Sequence, residues 1–345
     1  MPSSPSPALT SRAVATNAPP LSDSERQALS RVVLIGNAKG GVGKTSLATN
    51  LAGLLAAAGY STLLVDLDPQ GSSGQNLVPG WPEGDNGLTS DQGQGILNVV
   101  ATGQASMLET ALLKPRTNLD FVCGGPELKG VDDLLAGESE HPARPGSKRF
   151  ALAKSLAAIA PRYDFIILDT PPGDHHLLRL GLIAARWLVI PTRSDRLSIM
   201  GMHNITDEVL AARKDNPTLD LLGIALTASG TSATRVRTDA LRDINDVFWG
   251  AAPLFKNVIR SAEATANQTP RRGRLAHELA DDAKDEVPFY QALRNPGMER
   301  PSRLPSTVSA LAEDYLMLSE EIVRRIASFE ESEEAMSAAA ADGEA

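Results

Sequence analysis

Two hydrophobic patterns alternate along most of the chain. Some segments are short and almost continuously apolar, which is typical of parallel β-strands that are covered on both faces. Others repeat apolar residues every three or four positions, which is the spacing of an amphipathic helix. Their alternation predicts an α/β fold, in which one doubly wound and mostly parallel sheet is flanked by helices in a single domain. The predicted strands are residues 32–35, 61–66, 118–123, 163–169, 187–191 and 221–227, and the predicted helices include residues 45–58, 150–159, 234–248 and 306–329.

The two ends of the chain differ in composition from this alternating region. Residues 1–30 begin with a stretch rich in Pro, Ser and Ala, and we expect them to form a leader that is disordered or partly helical. Residues 31–329 form the predicted domain. Residues 330–345 carry six acidic residues and no basic one, so we expect a disordered acidic tail.

Composition narrows the class of protein. No apolar run approaches the ~20 residues that cross a bilayer, and the N-terminal stretch lacks the apolar segment of a signal peptide, so we expect a cytoplasmic protein. Cys123 is the only cysteine, which fits a reducing compartment and cannot supply the thiolates of an iron–sulfur cluster. The net charge of −9 disfavours a global attraction to nucleic acid but leaves room for local basic patches.

The stretch from Asn37 to Ser46 lies between the first predicted strand and the first predicted helix. Its glycines allow consecutive backbone N–H groups to turn inward around an anion, and the following helix adds the positive end of its dipole. Lys44 would reach the β- and γ-phosphates of a nucleotide, and the Thr45 hydroxyl would ligate Mg²⁺. No dinucleotide-binding G-x-G-x-x-G fits here, so we interpret the stretch as a P-loop. The predicted nucleotide contacts are Lys39, Gly40, Gly41, Val42, Gly43, Lys44, Thr45 and Ser46.

Acidic residues follow two other predicted strands. Asp66 and Asp68 lie two positions apart at the carboxyl end of one strand, where ligands bind in open α/β sheets. An alternative interpretation is that they cap a turn formed with Pro69 and Gly71. Asp169 ends another apolar strand, which is where a Walker B carboxylate meets the Mg²⁺ shell.

Three motifs occur in order along the chain: KGGVGKT at residues 39–45, DLDPQ at residues 66–70 and FIILDTPPG at residues 165–173. The first departs from the general G-x-x-x-x-G-K-[ST] pattern because Ala38 replaces its first glycine, and it carries a second lysine, Lys39. Together the motifs resemble the deviant Walker A, or ParA/MinD, family of partition and positioning ATPases, and most closely its ParA/Soj-type members. The resemblance extends over residues 31–329.

This resemblance implies a weak ATPase that uses ATP and Mg²⁺. It implies that Asp68 orients and activates the attacking water, and that the 170–173 segment corresponds to switch II. It also implies that Lys39 crosses to the nucleotide of a second subunit, so that ATP is held within a homodimer. The implied catalytic residues are Lys39, Lys44 and Asp68, and the implied Mg²⁺ ligands are Thr45, Asp66 and Asp169.

The resemblance further implies a role in plasmid or chromosome partitioning. The ATP-bound dimer would bind DNA without sequence preference, associate with the nucleoid, and hydrolyse ATP when a ParB-type centromere-binding protein stimulates it. Two alternatives stay open: a MinD-like ATPase that positions another cargo, and an ATP-dependent biosynthetic ligase on the same scaffold. The acidic residues 330–345 disfavour a membrane contact. The candidate DNA contacts, which suit an ordinary solvated surface equally well, are Arg235, Arg237, Arg260, Arg271, Arg272 and Arg274.

Overall fold

A computed structural model describes residues 21–83, 87–136, 148–195, 198, 203–228, 253–284 and 304–343. Its strands are β1 (Val32–Ile35), β2 (Thr62–Asp66), β3 (Leu113–Arg116), β4 (Leu119–Val122), β5 (Phe165–Asp169), β6 (Trp187–Arg193) and β7 (Asp220–Thr227). These seven strands form one sheet in the order β3-β4-β2-β5-β1-β6-β7. All neighbours run parallel except β3 and β4, which are antiparallel. The predicted fold class is confirmed, and β3 adds an edge strand that the hydrophobic pattern does not predict.

Helices connect and flank the strands. The predicted helix 234–248 lies outside the described residues. The described helices are α1 (Asp23–Ala28), α2 (Lys44–Ala57), α3 (Ser72–Leu77), α4 (Gln94–Thr102), α5 (Ala105–Thr110), α6 (Gly130–Leu135), α7 (Ala151–Ile159), α8 (His175–Ala184), α9 (His203–Ala212), α10 (Glu263–Ala266), α11 (Gln268–Arg272), α12 (Ala276–Lys284) and α13 (Val308–Gly343), with 3₁₀ turns at Pro126–Lys129, Lys148–Phe150 and Ala160–Arg162.

The sheet separates two hydrophobic cores. Every residue of β1, β2 and β5 is buried, as expected for central strands that have helices on both faces. One core contains side chains of α4, α7 and α8. The other core contains side chains of α2, α12 and α13. The continuous apolar runs in the sequence therefore reflect burial on both sides of the sheet.

Strand register brings the chemically important segments together. Asp66 of β2 lies opposite Asp169 of β5, and Ile35 of β1 lies opposite the same aspartate on the other side. The carboxyl ends of these three neighbouring strands are therefore level. Since the predicted P-loop follows Ile35 directly, it meets both acidic segments at one edge of the sheet.

The last helix is longer than the sequence predicts. α13 continues to Gly343, which corrects the expectation of a disordered tail over residues 330–343. Glu330 accepts two hydrogen bonds from the Arg31 guanidinium, at 2.8 and 2.9 Å, and Glu333 pairs with Arg186. The alanines at 338–341 add high helix propensity. The acidic residues thus anchor the helix to the amino-terminal side of β1 and β6.

Two further expectations are refined. The same family resemblance leads us to expect a late strand over residues 255–260. These residues run beside β7, where the N–H groups of Phe255 and Ile259 donate to the Ile224 and Leu226 carbonyl oxygens at 2.9 Å, but they lie outside the named strands. Within the leader, which we expect to be disordered or partly helical, the structure has the short helix α1, and Ser22 and Glu25 form a capping box at its start. Within the ranges that the structure describes, no helix combines the length and apolarity needed to cross a bilayer.

Candidate nucleotide-binding site

The loop between β1 and α2 has the backbone geometry of an anion cradle. Gly41 and Gly43 have φ angles of 71° and 85°, in the left-handed region that glycine adopts at little steric cost. α2 begins at Lys44. Its N-cap residue is Gly43, which has no side chain that could cap the first backbone N–H groups of the helix. Free amides at a helix N-terminus, together with the helix dipole, bind phosphate groups. The predicted contacts from Gly40 to Ser46 therefore lie on a loop and helix end suited to an anion.

Lys44 is held inside this loop. Its Nζ donates a hydrogen bond to the Lys39 carbonyl oxygen at 2.9 Å, and only 6% of the residue is exposed. Burial lowers the pKa of Lys44, while the negative charges of Asp169 and Asp68 oppose this shift. The ammonium group therefore lies in the field of both carboxylates, and an additional anion would favour its charged form.

Asp66 organises the turn that carries Asp68. Its two carboxylate oxygens accept hydrogen bonds from the backbone N–H groups of Asp68, at 2.9 Å, and Ser73, at 3.1 Å. Asp68 in turn accepts a hydrogen bond from the Gln70 N–H at 2.8 Å. Burial, followed by the charge of Asp169, raises the pKa of Asp66 well above its usual range. The alternative interpretation of these aspartates as turn caps therefore describes both contacts, but Asp68 uses only Oδ1 in this way.

Asp169 offers a free oxygen to a cation. Its Oδ2 accepts a hydrogen bond from the Ser73 hydroxyl at 2.9 Å, whereas its buried Oδ1 has no hydrogen-bond partner. Burial raises the pKa of Asp169 to about 7, against the opposing effects of the Thr45 and Ser73 hydroxyls and the Lys44 charge. Carboxylate and hydroxyl oxygens are the hard ligands that Mg²⁺ prefers. The residues therefore fit a magnesium ion.

Such an ion would depend on further ligands. Among the described residues, no group of three or more His, Cys, Asp or Glu side chains is arranged to hold a metal. Mg²⁺ is typically bound by one or two protein oxygens together with substrate phosphates and water. The arrangement therefore suits a metal that arrives with a nucleotide, rather than a metal enclosed by the protein alone.

Lys39 contacts a different loop from Lys44. Its Nζ donates a hydrogen bond to Ser198 Oγ at 2.7 Å and lies 3.7 Å from Asp195 Oδ1. The Ser198 hydroxyl donates to Asp195 Oδ2 at 2.6 Å, and this bond is the main reason that the pKa of Asp195 is lowered. The second lysine of the P-loop is thus tied to the segment that follows β6.

Three polar side chains that the sequence analysis missed support the loop. The Thr227 hydroxyl donates to the Val42 carbonyl oxygen at 2.8 Å. Asn37 Nδ2 donates to the Pro191 carbonyl oxygen at 2.8 Å, and the Thr170 hydroxyl donates to that of Ile35 at 2.9 Å. Asn37 and Thr170 lie in stretches that the sequence analysis names, but the partners of all three side chains are 135 to 185 positions away, so the motifs do not reveal these contacts.

The candidate DNA-contacting arginines do not form one free basic patch among the described residues. Arg235 and Arg237 lie outside those residues. Arg260 is held by both carboxylate oxygens of Asp314, at 2.6 and 2.7 Å, and Arg274 by those of Asp282, at 3.2 and 2.6 Å. The remaining two candidates are Arg271, whose side chain is exposed, and Arg272, which donates to Gln268 at 3.3 Å.

Comparison with curated proteins identifies relatives that match more than half of the chain. The Myxococcus xanthus chromosome partitioning protein ParA is 33% identical over 198 residues, which are 57% of this chain and 64% of that protein. The chain thus spans just under two thirds of that relative. The Thermus thermophilus chromosome-partitioning ATPase Soj is 32% identical over 263 residues, which are 72% of this chain and 95% of that protein.

Solved structures share the fold. Apo McdA from Cyanothece superimposes with a TM-score of 0.63 at 18% identity, over 85% of this chain and 99% of that chain. This similarity shows the fold alone. Cobyrinic acid a,c-diamide synthase from Mycobacterium smegmatis, solved with bound ADP and magnesium, gives a TM-score of 0.56 at 25% identity, over 80% of this chain and 99% of that chain.

The glycine loop, the helix that follows it, Lys44 and the acidic ends of β2 and β5 define a P-loop ATPase. A family model described as an AAA domain (AAA_31) matches residues 30–221. With this match and the Soj relative, the chain belongs to the ParA/MinD family of P-loop ATPases.

Proposed function

We propose that this protein is an ATP-dependent dimerisation switch in DNA partitioning. The observation that carries the proposal is the second P-loop lysine, Lys39, whose ammonium group is bound to Ser198 of a neighbouring loop. Its side chain lies outside the cradle that Lys44 occupies, so it can reach a second subunit once it leaves Ser198. Relatives that are named as chromosome partitioning proteins support DNA as the cargo.

ATP and Mg²⁺ are the proposed ligands. The P-loop amides around Gly41 and Gly43 bind the phosphates, and Lys44 binds their β- and γ-oxygens. Thr45 and Asp169 hold the metal, and Asp66 contributes through the turn that it organises. When bound, Mg²⁺ neutralises charge on the phosphates. The unpartnered Oδ1 of Asp169 and the related synthase, which was solved with ADP and magnesium, support this assignment.

Asp68 is the proposed residue that positions water. The Gln70 N–H holds one oxygen of its carboxylate, and its negative charge acts on the nearby Lys44 ammonium group. A carboxylate in that place orients a water molecule and accepts its proton. Lys44 stabilises the negative charge that develops on the phosphoryl oxygens. Positioning and charge neutralisation provide most of the catalysis in phosphoryl transfer.

Lys39 links hydrolysis to dimerisation in this proposal. To reach the nucleotide of a second subunit, its side chain has to leave Ser198 and Asp195. The single chain therefore lacks one cation of the complete site, and we expect it to hydrolyse ATP slowly. A ParB-type partner that favours the released position of Lys39 would accelerate hydrolysis, by a coupling between its own site and the nucleotide site.

Non-specific DNA is the proposed cargo of the dimer, which places the ATP-bound form on the nucleoid. Arg271 offers an exposed guanidinium group to a phosphate. Arg260 and Arg274 would first have to exchange Asp314 and Asp282 for phosphate groups. Both pairs are bidentate and partly buried, so this exchange would cost free energy that the contacts to phosphate groups have to offset.

A biosynthetic ligase on the same scaffold is the second candidate, and the similarity to the Mycobacterium smegmatis synthase favours it. Fluorescence anisotropy of a labelled random duplex separates the two. With a non-hydrolysable ATP analogue we expect binding that weakens between roughly 50 and 200 mM salt, and with ADP we expect none. Absence of binding in both nucleotide states would contradict the DNA cargo, and hydrolysis that requires a small organic acid would favour the ligase.

A further inference from the structure

Ser73 connects the two acidic strand ends of the site. It lies on α3, one residue after the start of that helix, and its side chain is fully buried. Its N–H donates to Asp66 Oδ2 at 3.1 Å, while its hydroxyl donates to Asp169 Oδ2 at 2.9 Å. Ser73 thus donates hydrogen bonds to carboxylates on two adjacent strands. These two carboxylates, of Asp66 and Asp169, lie opposite each other in the strand register.

The hydroxyl of Ser73 leaves Asp169 with one occupied and one free oxygen. A carboxylate that accepts a hydrogen bond on Oδ2 has a fixed rotation about its last side-chain bond. The other oxygen, Oδ1, is buried and has no hydrogen-bond partner, and the Thr45 hydroxyl is close enough to lower the pKa of the group. Ser73 therefore presents a defined oxygen beside the hydroxyl of the P-loop threonine.

We propose that Ser73 is a positioning residue that orients Asp169 for the metal ion which accompanies the nucleotide. This inference rests on the proposed ATP and Mg²⁺ site and adds to it a residue outside the three motifs. Outer-shell groups that orient a metal-binding carboxylate typically contribute 10–100-fold to metal affinity. Ser73 itself does not touch the nucleotide in this proposal.

The test is the affinity for Mn²⁺, a spin-active substitute for Mg²⁺, measured by electron paramagnetic resonance with a non-hydrolysable ATP analogue bound. For Ser73→Ala we expect the Mn²⁺ dissociation constant to rise about tenfold. Affinity for the analogue in EDTA should stay at the wild-type value, because the P-loop amides and Lys44 are unchanged. Ser73→Thr, which keeps the hydroxyl, should restore Mn²⁺ binding.

Two further variants make the test specific. Ser72→Ala removes the neighbouring hydroxyl, which is partly exposed, and should leave Mn²⁺ affinity unchanged. Ser73→Cys keeps nearly the same volume but offers only a weak donor, so it should weaken Mn²⁺ binding even where Ser73→Ala disturbs folding. Wild-type Mn²⁺ affinity in folded Ser73→Ala or Ser73→Cys would overturn the inference alone. Failure of the wild-type protein to bind Mn²⁺ with the analogue would overturn the proposed function as well.

Discussion

At the scale of single residues, the three aspartates of the site have different environments. Asp66 uses both oxygens to hold backbone N–H groups, and Asp169 keeps one buried oxygen free. Asp68 is buried, and the Gln70 N–H is the one hydrogen-bond donor among the contacts described for its carboxylate. These differences are the basis on which we propose a structural role for Asp66, metal binding for Asp169 and water positioning for Asp68.

Replacement of Asp68 tests that division. Asp68→Asn keeps the volume and an oxygen for the Gln70 N–H but removes the base, so we expect ATP hydrolysis to fall roughly 100-fold or more. Nucleotide affinity should change little. Steady-state phosphate release and titration with a fluorescent ATP analogue measure the two quantities. Asp207→Asn, at an exposed position of α9, is the control. Hydrolysis by Asp68→Asn within a few-fold of wild type would show that another group positions the water.

The sequence predicts some of these residues and misses others for a physical reason. Lys44 and Asp169 are recognisable from the sequence because each has a residue type that binds phosphate or metal and each follows an apolar strand. Ser73 is a common residue type, and its partner Asp169 is 96 positions away. Thr227, which supports Val42, is 185 positions from that residue. Only the register of the folded sheet makes such contacts visible.

At the scale of elements, α13 fixes the irregular segment beside β7. Glu321 accepts hydrogen bonds from the Lys256 and Asn257 N–H groups, at 2.9 and 3.0 Å. Arg325 donates to three backbone carbonyls, and its guanidinium carbon lies 4.1 Å from the centre of the Phe255 ring. These contacts add to the three backbone hydrogen bonds, at Pro253, Phe255 and Ile259, that join the segment to β7.

The role of α13 can be tested with a matched pair of arginines. Arg325→Ala removes a donor from the carbonyls of Leu222, Pro253 and Leu254, of which that of Pro253 keeps the Ile224 N–H. We expect the free energy of unfolding to fall by about 2–3 kcal/mol. Arg324→Ala removes an exposed pair with Glu320 and should cost about 0.5 kcal/mol or less. Urea unfolding followed by circular dichroism measures both. Equal losses for the two variants would contradict the support that we assign to Arg325.

The sequence predicts a strand or helix well where burial alone determines the pattern of apolar residues. β1, β2 and β5 are buried on both faces, so their apolar runs identify them directly. β3 has the sequence LKPR and is only partly buried, which leaves little signal in its residues. The helical end of α13 depends on its ion pairs to Arg31 and Arg186, and these become apparent only after the sheet has formed.

At the scale of the whole molecule, we propose that Lys39 contacts the nucleotide of a second subunit. In the single chain its ammonium group is bound to the loop after β6, and this contact competes with dimerisation. Asp195→Asn keeps an acceptor for the Ser198 N–H but removes the charge that faces Lys39. Because the pair is partly exposed, we expect the ATP-dependent dimer to form at up to about fivefold lower protein concentration. Concentration-dependent light scattering measures this change, with Asp207→Asn as the control. A dimer as weak as that of the wild type, or weaker, would show that this contact does not restrain Lys39.

The central claim is that ATP, through Lys39, creates a dimer. Sedimentation velocity tests it most directly, using Asp68→Asn protein so that ATP is not consumed during the run. With ATP and Mg²⁺ we predict a dimer, and with ADP and Mg²⁺ a monomer. Adding Lys39→Ala should abolish the shift while leaving ATP binding intact. Identical sedimentation in ATP and ADP, or a dimer that forms equally well without Lys39, would contradict the account.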